Sequence, residues 1–354
     1  MTIANLFRAC AALTLGLAVA ASAVAPAQAS FVNLGPAGDF NDFVYQDNTQ
    51  FNTDAEGRVA VGGNANFLPG YSIASKMGNN TDNLIVRGNL TNQWNSVHGG
   101  VLVGGDLNWQ GPTIFGRVNV NGNANFGNSG GSIGGTVNVV GLYTRPAFGF
   151  PTNAVPPTVT AMPFDFDAVQ NYLLSMSSAL SAITPNGTTT ISFNQVHLQA
   201  TNPLSTLVVF NVTGAQMANA AGAGLFIDAP AGATVVVNVS GATDSMTSMG
   251  ISLTGGVDKQ HVLYNFYQAS SLTINSIGVL GTILAPNANV NFAGGNIDGT
   301  MIAKNLSGQG ESHWYPFQGS LPPLTPIPEP STIALAGLGT LGLAWAGWRK
   351  RRAS

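Results

Sequence analysis

Val101-Leu102-Val103-Gly104-Gly105-Asp106 and Val118-Asn119-Val120-Asn121-Gly122-Asn123 are two copies of one unit, a short β-branched run closed by Gly and then Asn or Asp. The unit also reads Val59-Ala60-Val61-Gly62-Gly63-Asn64 and Leu84-Ile85-Val86-Arg87-Gly88-Asn89 upstream, and Val137-Asn138-Val139-Val140-Gly141 downstream. The closing glycines stand at 63, 88, 105, 122 and 141, so the unit recurs every 17 to 25 residues. A period of that length suits the coil of a solenoid better than a hairpin. Val and Ile fill a pleated inward surface, whereas Gly and Asn tolerate the left-handed conformation needed at a coil's corners. Stacked coils place like residues on like, so Asn119, Asn121, Asn123 and Asn125 are candidates for amide ladders.

Downstream, residues 143–163 hold five prolines and read as a loop leaving the first stack. A helix is expected over about 165–183, opened by Asp167 and Gln170 as a capping box and lined by Val169, Tyr172 or Leu173, Met176, Leu180 and Ile183. Strand-like runs then resume at 191–193, 207–212, 234–239, 262–267, 271–275, 279–284, 289–292 and 299–303. The expected fold is mainly β, a right-handed β-solenoid with one long flanking α-helix. In it the chain builds one stack, sends the helix across its flank and completes the stack.

The two ends read as addresses. Arg8, an apolar stretch and Ala27-Gln28-Ala29 describe a signal peptide over 1–29, cleaved by signal peptidase between Ala29 and Ser30. The body runs over 30–319, followed by a Pro-rich spacer at 320–327. Residues 331–348 carry no charge, and at 1.5 Å per residue they make a helix of about 27 Å, the length of a transmembrane span. Arg349, Lys350, Arg351 and Arg352 would hold its end on the cytoplasmic side.

Charged residues make up 8% of the chain, against roughly a quarter in soluble globular proteins. The body keeps 7 basic residues against 14 acidic ones and has no basic stripe, which argues against nucleic acid. Cys10 is the only cysteine and lies in the leader, so the mature chain has no disulfide, thiolate metal site or Cys nucleophile. Apolar runs long enough for a membrane occur only at the ends.

Two resemblances follow from these residues. Pro328-Glu329-Pro330, the apolar helix and the basic stop over 328–354 resemble a PEP-CTERM sorting signal. That resemblance implies a Gram-negative host, an inner-membrane-anchored precursor, an exosortase-type transpeptidase as partner, and delivery to the outer surface or extracellular matrix. Leu34-Gly35-Pro36-Ala37-Gly38-Asp39-Phe40-Asn41, the segment 54–65, Gly281-Thr282-Ile283-Leu284-Ala285-Pro286, Gly299-Thr300-Met301-Ile302-Ala303, Glu311-Ser312-His313 and Pro316-Phe317 are similar to the choice-of-anchor A domain. Membership there implies an exported adhesin-like module without an established reaction.

Among chemistry-bearing residues, Glu311, His313, Trp314 and Tyr315 are the candidate ligand-binding group. Glu311 and His313 share one side of a strand, which equally suits a structural hydrogen bond locking the last coil. His98, His197 and His261 have no metal-like spacing. Asp39, Asp42, Asp47, Asp54 and Glu56 are the densest acids; Ca²⁺ is the one cofactor they suggest, yet no EF-hand or nonapeptide array is present and solvated surface is the expectation. Sparse carboxylates after residue 60 and the lack of a Gly-x-Ser-x-Gly, His-Glu-x-x-His or P-loop motif argue against an enzyme. The expected role is adhesion or biofilm-matrix architecture. The alternatives are a polysaccharide-binding or polysaccharide-degrading β-helix, with Trp94, Trp109, Trp314 and Tyr315 as sugar contacts, and an ice-binding-like surface adhesin. The threonines (Thr188 to Thr190, Thr254, Thr273) look irregular for the last of these.

Overall fold

The structure is a computed structural model of the chain and describes residues 33–127, 131–146 and 148–324. The signal peptide, the transmembrane helix, the Pro-Glu-Pro motif and the basic tail expected from sequence lie outside the described residues. Phe31–Pro323 form one compact unit. Among the described residues no helix is long and apolar enough to cross a membrane.

Each repeat is one coil of a parallel β-solenoid. Starting at the first coil, Asp42–Val44 lies on one face, Asn48–Gln50 on a second and Thr53–Ala55 on a third. The chain then returns to the first face at Val59–Val61, which pairs in parallel with Asp42–Val44. Leu84–Val86, Val101–Val103, Val118–Val120 and Val137–Val139 follow in register, so the five copies stack as the first face of successive coils.

The stack is not built in chain order. The other neighbour of Asp42–Val44 is Met301–Gly308 in the last coil, with Asp42 opposite Met301 and Val44 opposite Ala303. From there the first face continues through Thr282–Phe292, Val262–Asn265, Thr234–Ser240 and Leu207–Thr213. One arm therefore grows outward from the first coil; the chain then jumps to the opposite end and builds a second arm inward until its last coil meets the first. The sequence reading of one stack completed after a helix holds, but completion starts from the far end. That end is closed by Gly187–Ser192, which runs antiparallel to Gln195–Ala200.

The long helix, α1 (Phe166–Ser181), makes this jump. Its cap is Asp165, whose carboxylate accepts from the backbone N–H of Asp167 (2.9 Å) and Ala168 (3.2 Å). The capping box expected at Asp167 and Gln170 is replaced, because Asp167 reaches outward to Arg87 (2.7 Å) instead. Phe166, Val169, Leu173, Met176 and Leu180 are buried beneath it. Its 16 residues span about 24 Å, or roughly five rungs of a parallel stack. Arg87 holds its start, while Asn265 donates to the Ser177 carbonyl (2.8 Å) and Asn238 to that of Leu180 (2.9 Å) near its end. The first face is apolar on both sides where α1 lies, as a strand covered on both faces must be: Ile85, Phe43, Ile302, Leu284 and Leu263 are the outward-pointing members, all buried. Beyond the helix's reach the outward positions become Asn119 and Asn138, and Asn138 exchanges hydrogen bonds with Thr158 of the proline-rich loop.

The interior holds two apolar clusters, one in each arm. Between them is the first coil, whose inward residues include Asp42, Asn48, Gln50 and Thr53.

Candidate functional site

A group of ionisable residues gathers on the third face where the arms meet. Glu311–His313 pairs with Gly295–Asp298 on one side and reaches Ala55 on the other. His313 Nδ1 lies 2.7 Å from Asp298 Oδ1, and its Nε2 is 3.4 Å from Glu311 Oε2. Lys259 donates to the other Asp298 oxygen (2.6 Å) and stands 3.4 Å from the centre of the Tyr315 ring. The Trp314 N–H donates to Glu56 (2.9 Å), which also pairs with Lys76 (2.8 Å). Burial pushes Asp298 upward, but its hydrogen bonds with Lys259 and His313 outweigh this and leave the carboxyl below its usual range. Glu56 shows the same balance, with Lys76 and the Trp314 N–H prevailing over desolvation. Asp54 goes the other way, raised by burial and by Glu311 and Glu56 nearby.

The four candidate residues of the sequence reading are thus brought together, but into a lock. Both Asp298 oxygens are occupied, Glu56 is held from two sides, and the Trp314 ring packs against Gly57. The dense N-terminal acids scatter instead of clustering. Asp42 points inward, Asp47 joins a corner ladder, Asp54 and Glu56 face the third side, and Asp39 lies near Arg58. Among the described residues no group of three or more His, Cys, Asp or Glu is arranged to hold a metal ion. His98 and His197 stack on Phe115 and Phe226, and His261 pairs with Asp258 (2.9 Å). Of the proposed sugar platforms, Trp109 is buried and Trp94 exposed.

The second face is different. Here most strands alternate, with apolar residues inward and small polar ones outward, as in Ala65-Asn66-Phe67, Leu107-Asn108-Trp109 and Ala124-Asn125-Phe126; Asn48, Gln50 and Asn92 are buried polar exceptions among the inward positions. Strand pairing aligns Thr144, Asn125, Asn108, Thr91, Asn66 and Thr49 on one arm with Ser307, Asn291, Thr273 and Ser245 on the other. The column crosses the junction of the arms without a break and contains no charge. Each of these residues is exposed or half-exposed. Ten rungs at the 4.8 Å strand spacing extend over about 43 Å.

A second column fixes the edge of this face. Asp47 Oδ1 accepts from the Asn64 N–H (2.8 Å), Asn64 Oδ1 from Asn89 (3.0 Å), Asn89 Oδ1 from Asp106 (2.8 Å), Asp106 Oδ1 from Asn123 (2.7 Å) and Asn123 Oδ1 from Leu142 (2.9 Å). Asn305 continues it across the junction, accepting from the Asp47 N–H (2.8 Å) and donating to Asn289 (2.7 Å). The column is a ladder of side-chain oxygens accepting backbone N–H groups of the next coil; of the four asparagines of a single coil expected to form amide ladders, Asn123 belongs to it, Asn125 donates to Asn108 (3.5 Å) on the neighbouring coil, and Asn121 bonds to the Thr160 backbone. The repeated glycines follow from it. A side chain on Gly105 would collide with Asn89 Oδ1, and one on Gly122 with Asp106 Oδ1. Between the two columns on the first arm runs a shallow trough floored by Leu90, Leu107 and Ala124.

Asn125, one of the stacked asparagines expected from sequence, lies on this face, but an ice-binding-like surface sought in a threonine ladder is not visible in the sequence, because the column mixes Thr, Asn and Ser. Its signal was the small or aliphatic residue, Asn, aromatic triplet that recurs six residues after the first Val of a repeat.

A family model described as an ice-binding-like adhesive domain matches residues 33–314, and the PEP-CTERM protein-sorting motif matches residues 326–352. The first of these carries a different name from the choice-of-anchor A domain that the sequence resembles. No curated protein matches the chain. Among solved structures, an ice-binding protein from an Antarctic biological consortium is 12% identical, with 82% of this chain and 94% of that one covered and a TM-score of 0.34. One from the Antarctic ascomycete Antarctomyces psychrotrophicus is 13% identical, covering 82% and 100%, with a TM-score of 0.31. One from an Arctic yeast is 11% identical, covering 84% and 97%, with a TM-score of 0.31. Scores this low leave the fold to rest on the chain's own strand pairing.

Proposed function

Since the chain belongs to the ice-binding-like adhesive domain family, we propose that it is an exported, non-enzymatic adhesin of the cell surface or biofilm matrix, and that the uncharged second face is its contact surface. The observation that carries this reading is the unbroken column from Thr144 to Ser245, rigidly spaced and free of charge on a face that no other element among the described residues covers. Side chains held in register by the backbone lose little freedom on contact, which favours adhesion over a broad area. Gln318, Ser320 and Leu321 bond to Gln260, Thr234 and Asn33 along the corner between the third and first faces, so the last described residues pack away from the second face. The winding is taken as right-handed, as parallel crossovers almost always are.

The PEP-CTERM match supports sorting by an exosortase-type transpeptidase acting at Pro328, Glu329 and Pro330. Glu329→Gln is expected to leave the precursor in the inner membrane, and peptide mapping of the exported pool is expected to lack the segment around Trp348. Normal export of the variant, or a retained tail, counts against the sorting step.

The contact face is tested with residues 31–323, the self-contained unit. Asn108→Lys with Thr273→Lys places a charge on each arm. Adsorption to the producing strain's exopolysaccharide, followed on a quartz microbalance, is expected to fall about tenfold with Tm unchanged; equal adsorption by wild type and variant overturns the assignment. A second reading, favoured by the trough with its amide rails and apolar floor, is that the surface binds an extended neutral glycan. Saturable binding of cello-oligosaccharides without shortening would favour it, and shortening would make the chain a polysaccharide-degrading β-helix. Thermal hysteresis and ice shaping by the same unit test the ice-binding alternative.

A further inference from the structure

We propose that the interior of the first coil encloses ordered water, held by Asn48, Gln50 and Thr53, and that this hydrated layer is the surface on which the two arms join. The first coil is polar inside, unlike its neighbours. Asn48, Gln50 and Thr53 are at most 8% exposed, yet Asn48 Nδ2 and Oδ1, Gln50 Oε1 and Thr53 Oγ1 have no hydrogen-bond partner among the described residues. A buried polar atom left unpaired keeps the full penalty of losing water, so a native interior supplies it with a partner. The adjoining coils cannot do so. Asn48 lies between Ala65 and Leu306, and Gln50 between Phe67 and Gly308. Ala65 and Gly308 carry no polar side-chain atom that could pair with either amide.

The chemistry of the unpaired atoms selects the occupant. Asn48 presents a donor and an acceptor, Gln50 an acceptor, and Thr53 a hydroxyl that serves as either. A cation would satisfy the oxygens and repel the Asn48 amide protons; water both donates and accepts. The buried carboxylate of the same coil is already engaged, since Ser312 donates to Asp42 Oδ1 (2.7 Å) and Tyr71 to Oδ2 (3.2 Å). Four unpaired atoms, at about three hydrogen bonds per buried water, call for about one or two molecules.

This layer separates the two apolar clusters. Sliding the last coil past the first would set Met301 or Leu306 against the wrong polar group and strand the water's partners. The layer thus fixes which coil of the second arm receives the first, a registration role like that of single buried amides in coiled coils.

The test is ¹⁷O magnetic relaxation dispersion on residues 31–323, which counts long-resident water. Replacement of the polar layer by Asn48→Leu, Gln50→Leu and Thr53→Val together is expected to remove about one or two such molecules. An unchanged count in a folded variant overturns the proposal. Should the variant not fold, a high-resolution crystal structure of the unaltered unit decides: water density within hydrogen-bond distance of Asn48 and Gln50 supports it, and an empty interior or a cation at metal-like distances overturns it.

Discussion

At the scale of single residues, Asp42 is the group whose ionisation the fold resists. It is fully buried, and desolvation raises its carboxyl from 3.8 to about 6 despite hydroxyl donors from Ser312 and Tyr71. A raised carboxyl binds its proton more tightly folded than unfolded. Stability is therefore fully present below the ordinary value, falls as pH rises towards about 6, and is flat above. The cost at neutral pH is on the order of 3 kcal/mol. Asp42→Asn is expected to raise Tm at pH 8 and to leave it nearly unchanged at pH 3.5, as thermal melts at the two pH values would show; equal shifts at both would remove Asp42 from the account. The repeat glycines supply a second prediction. Gly122→Ala forces a methyl group against Asp106 Oδ1 and the Gly105 carbonyl. It is expected to destabilise by about 1–3 kcal/mol in chemical denaturation, as overpacking does, whereas Gly78→Ala, with open space around it, is expected to cost well under 1 kcal/mol.

At the scale of elements, α1 is held by burial more than by its cap. Leu173→Ala removes a fully buried side chain from the first face and is expected to cost about 2–5 kcal/mol, against about 1 kcal/mol for Asp165→Ala. Comparable losses from the two substitutions in urea unfolding would contradict this ranking. The helix and the five first-face strands were legible in the sequence because each has a simple period: apolar residues every three or four positions, and β-branched runs closed by Gly-Asn. The second-face strands were harder to see. Ala65–Phe67 and Ala124–Phe126 are three residues long, too short for alternation to register without knowledge of what stacks on them. The Glu311 and His313 lock was anticipated as a structural alternative, but its principal partner, Asp298, comes from the preceding coil and has no local mark in the sequence.

At the scale of the molecule, the division of labour among faces follows from composition. Few charges are available, and those on the third face serve to lock the junction of the arms, leaving the second face neutral along its length. A charge introduced on that face is accordingly expected to change adhesion and not melting, while His313→Ala is expected to lower Tm and leave adsorption per folded molecule unchanged. Microbalance and calorimetric measurements on the same preparations separate the two effects. What no local reading could reveal is the order of the coils, because pairing of Asp42 with Met301 joins residues from opposite ends of the domain.

That pairing, together with the 2.9 Å bond from the Leu321 N–H to Asn33, makes the chain a rearranged version of a simpler one. If residue 321 were linked to residue 33 and the chain opened in the loop near residue 155, each coil would follow its neighbour from one end of the stack to the other. The natural protein is, in this sense, a circular permutant of an ordinary solenoid. Its most distant contacts would become local, and a fold with shorter loops to close forms faster. The permuted chain is expected to refold more quickly than the natural one to the same structure, which leaves the natural order paying in folding speed for two ends that meet at one edge.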